Sequence, residues 1–268
     1  MTARIAAALS SAGLALTLAA CTSFYEVPIE TPIQPKMDVT PFQRVLIAGF
    51  ISGGSEDVDA NLETVRLLRS QLRAKSALRV IEADVLPLVE LARDQDGAVE
   101  SRSAGTNGGA QPASAQAGID PQGPRIRDER DLEPLESIFA NVDFWRRIGE
   151  EYQNPLIVTG TVLFTPHARS GFVQREQEVF DSLGRRRVVP VRTYMERRGF
   201  ILRPKFIFID GRTGTTLYSE TFREEILYSP QQQTPALSSY FELMDRLIPS
   251  FLSTLSTQRI KGSRVLLK

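Results

Sequence analysis

At residues 45–50 the chain reads Val-Leu-Ile-Ala-Gly-Phe, a continuous apolar run without a charged side chain. A short run of this kind is typical of a strand that is buried on both faces. The following segment, about 60–75, places apolar side chains at helical spacing, and these are Leu62, Val65, Leu68 and Leu72. Apolar residues return at 78–81, so the domain is expected to open as a strand–helix–strand unit.

The second half of the chain continues this alternation. A helix is predicted over 144–152 with Asp143 as its N-cap, and the apolar run 156–164 predicts a strong strand. Hairpins are predicted over 172–198 and 201–225, followed by an amphipathic helix over 238–255 and a short last strand at 265–267. This order predicts an α/β (α+β mixed) fold, in which one mixed sheet is covered by helices and carries an added charged hairpin.

One internal segment departs from this pattern. After a short helix predicted over 84–93, residues 94–124 are mostly Gly, Ala, Ser, Gln, Asn and Pro, and residues 128–139 are expected to be partly helical. Such a composition buries too little apolar surface to offset the entropy of ordering. We therefore predict a disordered insertion at about 94–130, either a surface expansion or an arm that binds a partner.

The N-terminus carries the pattern of an export signal. Arg4 precedes an uncharged apolar run over 5–20, and the single cysteine of the chain, Cys21, follows directly. Leu18, Ala19, Ala20 and Cys21 resemble the lipobox of bacterial lipoproteins. The resemblance implies cleavage before Cys21, a diacylglycerol group on its thiol and an acylated amine, so that the membrane is bound through lipid. A transmembrane helix is the alternative, but the run of about 16 residues is shorter than the roughly 20 that span a bilayer. An ordinary secretory signal is the other alternative, and it requires no cysteine.

This interpretation divides the chain into three parts. Residues 1–20 are the signal peptide, residues 21–43 are the lipidated cysteine and a Pro-rich tether of polyproline II character, and residues 44–268 form a single α/β domain. Thr22 stands where aspartate retains enterobacterial lipoproteins at the inner membrane. The expected location is therefore the outer membrane, facing the periplasm.

The composition argues against several kinds of function. The chain has 32 basic and 32 acidic residues, so no net positive field attracts nucleic acid. Its only histidine, His167, has no second histidine as a metal partner, and the only cysteine is assigned to lipid. No catalytic residue, metal site or cofactor is predicted, and the protein is not expected to be an enzyme. A glycan-acting enzyme that uses a carboxylate pair such as Glu220 and Glu224 stays open as an alternative.

The predicted 172–198 hairpin carries the residues proposed to contact a partner. These candidates are Arg185, Arg186, Arg187, Arg197 and Arg198. Glu176 and Glu178 are expected to face 185–187 across the hairpin, where opposite charges contribute roughly 0.2–1 kcal/mol each. The basic arm either contacts an acidic partner or is a solvated surface.

Several segments together resemble a family. Residues 44–50, the helix ending in Ser70-Gln71-Leu72 and the strand at 78–82 are similar to the opening of the curli-secretion lipoprotein family (CsgG). That family is related to the TolB N-terminal domain and to lipoprotein activators of penicillin-binding proteins. The Thr-Gly strand at 156–162 and the Asp210-Gly211-Arg212-Thr213-Gly214 turn are similar to further family segments. The insertion departs from the pattern.

The resemblance implies an envelope lipoprotein that works through protein contacts and has no cofactor. The sequence thus favours an accessory or scaffold protein in envelope assembly, with an envelope protein as its partner. An oligomeric secretion or channel component is the alternative. It is less favoured because Arg175, Glu176 and Glu178 interrupt the apolar alternation that bilayer-facing strands need.

Overall fold

A computed structural model describes residues 24–103, 125–180, 182–229, 231–232 and 234–267. Its strands are β1 (Phe24–Ile33), β2 (Arg44–Gly54), β3 (Arg79–Ile81), β4 (Leu156–Phe180), β5 (Arg186–Asp210), β6 (Thr216–Thr221), β7 (Glu224–Tyr228) and β8 (Gln258–Leu267). Its helices are α1 (Ala60–Lys75), α2 (Leu88–Ser103), α3 (Glu129–Leu132), a 3₁₀ helix (Pro134–Ala140), α4 (Val142–Glu151) and α5 (Ala236–Leu255). The described chain divides into a main unit, 36–256, and a small unit made of 24–35 and 257–267.

The main unit is built on one mixed sheet of six strands. The strand order is β3-β2-β4-β5-β6, and β7 also pairs with β5. β2 is parallel to β3 and β4, whereas β4, β5, β6 and β7 pair antiparallel. The mixed α/β sheet predicted from the sequence is confirmed.

Helices cover both faces of this sheet because successive strand residues point to opposite sides. Even-numbered residues of β4 such as Val158 pack with α1 and α5 through Leu68 and Phe251. Odd-numbered residues such as Ile157 pack with the other helical layer, which contains Trp145 of α4. The sheet is therefore the central layer of three.

The capping of α4 differs from the prediction. Asn141, rather than Asp143, is the N-cap, and its side-chain oxygen accepts a hydrogen bond from the Phe144 amide at 3.0 Å. Asp143 lies inside the first turn and pairs with Arg146 at 2.9 Å. Both side chains suit a helix start, and the two-residue difference is set by the preceding 3₁₀ helix, which ends at Ala140.

The predicted 94–130 insertion is shorter than expected at both ends. α2 continues through residue 103, so residues 94–103 are helical. Ile126 is buried, and its carbonyl accepts a hydrogen bond from the Gly54 amide at 2.9 Å. Segments 129–132 and 134–140 are helical, as predicted for 128–139. The stretch 104–124 lies outside the described residues.

β4 and β5 are much longer than predicted. The strand at 156–164 and the first arm of the 172–198 hairpin are one continuous strand of 25 residues, and β5 has the same length. Pro166 is tolerated because β2 stops pairing with β4 at Phe164, which leaves the outer edge of β4 free at that point. The separate hairpin predicted over 172–198 is thus the outer part of the central strand pair.

The strand after the Asp210–Thr215 turn is also divided differently. The predicted return over 216–225 is split into β6 and β7, which pair with different parts of β5. Between them, the Phe222 amide donates to the Pro204 carbonyl at 2.8 Å. Gly214 at the turn has φ +73°, and its amide donates to the Asp210 carbonyl at 2.7 Å.

The small unit corrects the predictions at both ends of the chain. Residues 24–33 form β1, which pairs antiparallel with β8, instead of an unpaired polyproline II tether. The predicted last strand belongs to this pair and does not extend the main sheet. The main unit also begins earlier than Arg44, because Met37 is buried and its amide donates to the Thr254 carbonyl at 3.2 Å.

Candidate functional site

The strongest candidate site is the outer part of the β4–β5 pair. We define the outer ribbon as residues 168–180 of β4 and 186–198 of β5, which pair with each other in unbroken register. β7 pairs with β5 only over Arg198–Leu202, so within the described chain the outer ribbon has no third strand beyond Arg198 at its base. At about 3.4 Å per residue it is roughly 40 Å long.

One side of the outer ribbon, the aromatic face, carries the even-numbered residues. Phe172 lies opposite Tyr194, with an edge-to-face ring contact at 5.4 Å between centroids. These rings are 70% and 59% exposed, so they contribute little to any core. Further along, Phe180 is 67% exposed. The aromatic face therefore presents large apolar side chains to the surroundings.

Charges on the aromatic face balance. Its three carboxylates and three guanidinium groups are Glu176, Glu178, Glu196, Arg186, Arg192 and Arg198. Arg186 forms an ion pair with Glu178, and Arg198 Nε lies 3.0 Å from Glu196 Oε1. All are exposed pairs, so each contributes little stability.

The opposite side, the arginine face, carries the odd-numbered residues. Its charged residues are Arg169, Arg175, Arg187 and Arg197, and it has no carboxylate. Arg169 and Arg197 lie directly opposite each other in the strand register. Between the arginines stand aliphatic side chains, namely Val173, Val179, Val189, Val191 and Met195. The two faces of one ribbon thus differ completely in charge.

The five arginines predicted to contact a partner do not form one patch. Arg186 and Arg198 lie on the aromatic face and are paired with glutamates. Arg187 and Arg197 lie on the arginine face, and Arg185 precedes β5 in the turn. Of the two expected glutamate partners, Glu178 binds Arg186, whereas no ion pair to Glu176 is present among the described residues.

Sequence reasoning missed several residues that shape these faces. The sequence pattern assigns no role in a site to Phe172, Tyr194, Arg169 and Arg175, although they define the two faces. The signal that could have found them is the strict alternation of side chains between the two faces along each arm, counted outward from the turn glycine Gly184 (φ +72°). It becomes visible only once the pairing of Phe172 with Tyr194 is known.

A cleft of about 700 Å³ lies at the base of the outer ribbon. Its lining includes Pro166, Phe200, Tyr228 and Gln232. His167 borders it, with Nε2 lying 3.4 Å from Glu225 Oε1. The lone histidine is thus partly exposed and lies beside a carboxylate.

The glycine-rich end of β2 is not an open phosphate-binding loop, because packing closes it. A Cβ on Gly53 would lie 2.4 Å from Cγ2 of Ile126, and Glu56 pairs with Arg125. The segment therefore connects β2 to α1, and its neighbouring carboxylate would repel a phosphate.

Glu220 and Glu224, the carboxylate pair considered for glycan chemistry, lie in different surroundings. Glu220 forms an ion pair with Lys36, and this hydrogen bond raises the pKa of the lysine. Glu224 begins β7 and lies opposite Leu202. Within the described ranges, no three His, Cys, Asp or Glu side chains are placed to hold a metal ion.

The predicted lipid site lies outside the described residues. This applies to Cys21 and to Leu18, Ala19 and Ala20 of the lipobox. Among the helices that are described, none is both long and apolar enough to cross a membrane.

Comparisons with known proteins give a weak structural likeness and no match in sequence. No protein-family model matches the sequence, and no curated protein matches it. Among solved structures, lipoprotein GNA1162 from Neisseria meningitidis is similar with a TM-score of 0.33 and 11% sequence identity. The match covers 80% of this chain and 99% of that one.

Proposed function

We propose that this protein is a non-enzymatic lipoprotein of the outer membrane that faces the periplasm and acts as an accessory or scaffold in envelope assembly. The outer ribbon is its contact element for a protein partner. The observation that carries this proposal is the exposure of Phe172 and Tyr194 on a ribbon that contributes no residue to the buried core.

The aromatic face has the composition of a protein interface. Such interfaces are enriched in aromatic residues and arginine, and a few aromatic anchors supply most of the binding energy. Phe172, Tyr194 and Phe180 supply exposed rings, while Arg192 and the paired Arg186 and Arg198 supply donors around them. Because the charges on this face balance, we expect a partner surface of mixed charge rather than a purely acidic one.

Site-specific photo-crosslinking in intact cells tests the contact. A photoreactive phenylalanine at Phe172 should give a discrete protein adduct, whereas the same group at Val173 is the matched control because it lies next in sequence on the opposite face. Adducts of one defined mass at Phe172 and Tyr194, and none at Val173, support the proposal. The absence of a protein adduct at both aromatic positions would contradict it, and an adduct of twice the chain mass would favour the oligomeric secretion alternative.

The proposed anchor has its own test. Metabolic labelling with a fatty acid should mark the wild-type chain and leave the Cys21→Ser variant unlabelled. Labelling that persists in Cys21→Ser would contradict the assignment of this residue.

A further inference from the structure

We propose that the arginine face of the outer ribbon binds an anionic phospholipid bilayer surface. This inference concerns the face that the proposed protein contact does not use, and it holds whether or not Cys21 carries lipid. The sequence motifs gave no separate role to Arg169 and Arg175, which the strand register places with Arg187 and Arg197.

The positive charges of this face favour the binding of an anionic surface. Arg169 and Arg197 lie directly opposite each other, and like charges in that position destabilise a strand pair. All four guanidinium groups are exposed, and none forms an ion pair within the described part of the chain. A negatively charged surface would remove the repulsion along the whole ribbon.

The apolar residues of the face indicate a bilayer rather than a protein. Three of its aliphatic side chains are short and exposed, with Val179, Val189 and Val191 at 43%, 41% and 36%. The arginine face has no aromatic side chain, so it lacks the anchors that fill pockets in protein interfaces. A ribbon that mixes cations with small apolar groups matches the boundary between headgroups and acyl chains.

The tip of the hairpin supports the same assignment. Leu183 in the turn is 75% exposed and stands beside the run 185–187 of three arginines. An exposed leucine next to cations can enter the headgroup region while Arg187, which lies on the arginine face, binds a phosphate. The tip and the arginine face together would lay the ribbon along the membrane and leave the aromatic face open.

Vesicle binding by the mature chain tests the proposal. The protein is residues 21–268 with Cys21→Ser, which contains every described residue and no acyl chain. Vesicles of phosphatidylcholine with 30% phosphatidylglycerol are compared with pure phosphatidylcholine vesicles by co-sedimentation. We expect binding only to the anionic vesicles, weakened at high salt because exposed charges are screened.

Two matched triple variants identify the face. Arg175→Gln, Arg187→Gln and Arg197→Gln together should lower the partition coefficient about 100-fold, since each arginine near an anionic surface contributes about fivefold. Arg186→Gln, Arg192→Gln and Arg198→Gln remove the same charge from the aromatic face and should lower it less than about tenfold. Circular dichroism verifies that both variants are folded.

A fluorescent probe gives a readout that does not depend on removing arginines. Cys21→Ser leaves the chain without cysteine, so a single cysteine can carry an environment-sensitive dye. At Val173→Cys the emission should shift to the blue on anionic vesicles, and at Gln174→Cys, on the opposite face, it should not. Equal shifts, equal losses in both triple variants, or binding to an acidic polypeptide but not to vesicles would each overturn the proposal.

Discussion

At the scale of single residues, the Tyr240 hydroxyl is the polar group that ties α5 to α1. It hydrogen-bonds with the Thr64 hydroxyl and donates to the Ala60 carbonyl at 3.2 Å. The side chain is fully buried, and burial raises its pKa well above the usual value, although the hydrogen bond from Thr64 opposes the shift. Tyr240 therefore stays neutral in the folded protein under conditions in which an exposed tyrosine ionises.

This shift predicts a loss of stability in alkali. Because the folded-state pKa of Tyr240 is raised, its contribution is complete below about pH 10, the ordinary tyrosine pKa, and is lost as pH rises toward the folded value. The free energy of unfolding should fall by about 1.4 kcal/mol per pH unit above pH 10 from this group. Urea unfolding at several pH values should show a shallower slope in Tyr240→Phe, and an unchanged slope would refute the assignment.

Trp145 gives a prediction about the other core layer. It is fully buried, its Nε1 donates to the Ile138 carbonyl at 2.9 Å, and its ring meets Phe144 edge-to-face at 4.9 Å. Trp145→Phe would remove one of the two donors to that carbonyl, leaving the Asn141 amide at 3.1 Å, and would lose volume, so we expect a loss of about 1–3 kcal/mol. Denaturation followed by circular dichroism measures it, with Phe144→Leu as a control that keeps the hydrogen bond. A loss below 0.5 kcal/mol would show that the contact is dispensable.

At the scale of elements, the two ends of the β4–β5 pair have different roles. Phe206 is fully buried and contacts Phe50 and Phe251, whereas Phe172 contacts Tyr194 and solvent. We expect Phe206→Ala to lower the free energy of unfolding by about 3–5 kcal/mol and Phe172→Ala by less than about 1 kcal/mol. Chemical denaturation of the two variants compares them. Similar losses would mean that the outer ribbon is part of the cooperative core.

The core strands could be predicted because a strand buried on both faces is continuous in apolar residues. β2 and the first nine residues of β4 are of this kind. The full length of β4 could not be predicted, since Pro166 and Gly171 read as a break and only the position of β2 shows that Pro166 lies on a free edge. The pairing of β1 with β8 was equally hidden, because it joins residues more than 200 positions apart.

The candidate site was predicted in location but not in form. The arginine run at 185–187 points to the same hairpin as the structure-based candidate, because a charge run is visible without any structure. The strand register is needed to place Arg186 and Arg187 on opposite faces of the ribbon. A register slip of one residue would exchange their faces. The aromatic pair was missed for the same reason, since its members are 22 positions apart and meet only through that register.

At the scale of the whole molecule, a net charge of zero coexists with a local excess of positive charge. The chain has equal numbers of acidic and basic residues, yet one face of the outer ribbon has four arginines and no carboxylate. A net charge of zero therefore excludes a global field but says nothing about an individual face. In our account the core supports the ribbon, the proposed lipid holds the chain at the membrane, and the ribbon makes the contacts.

Shortening the outer ribbon in cells tests this account most directly. Residues 172–194 are replaced by Asn-Gly, a two-residue turn that joins Gly171 to Met195 where they are already paired. The account predicts that the shortened chain keeps its thermal midpoint within about 4 °C, its abundance and its membrane fraction. It also predicts that this chain fails to restore the envelope phenotype of cells lacking the protein. Full restoration of that phenotype by the folded, shortened chain would contradict the central claim that the ribbon is the functional element.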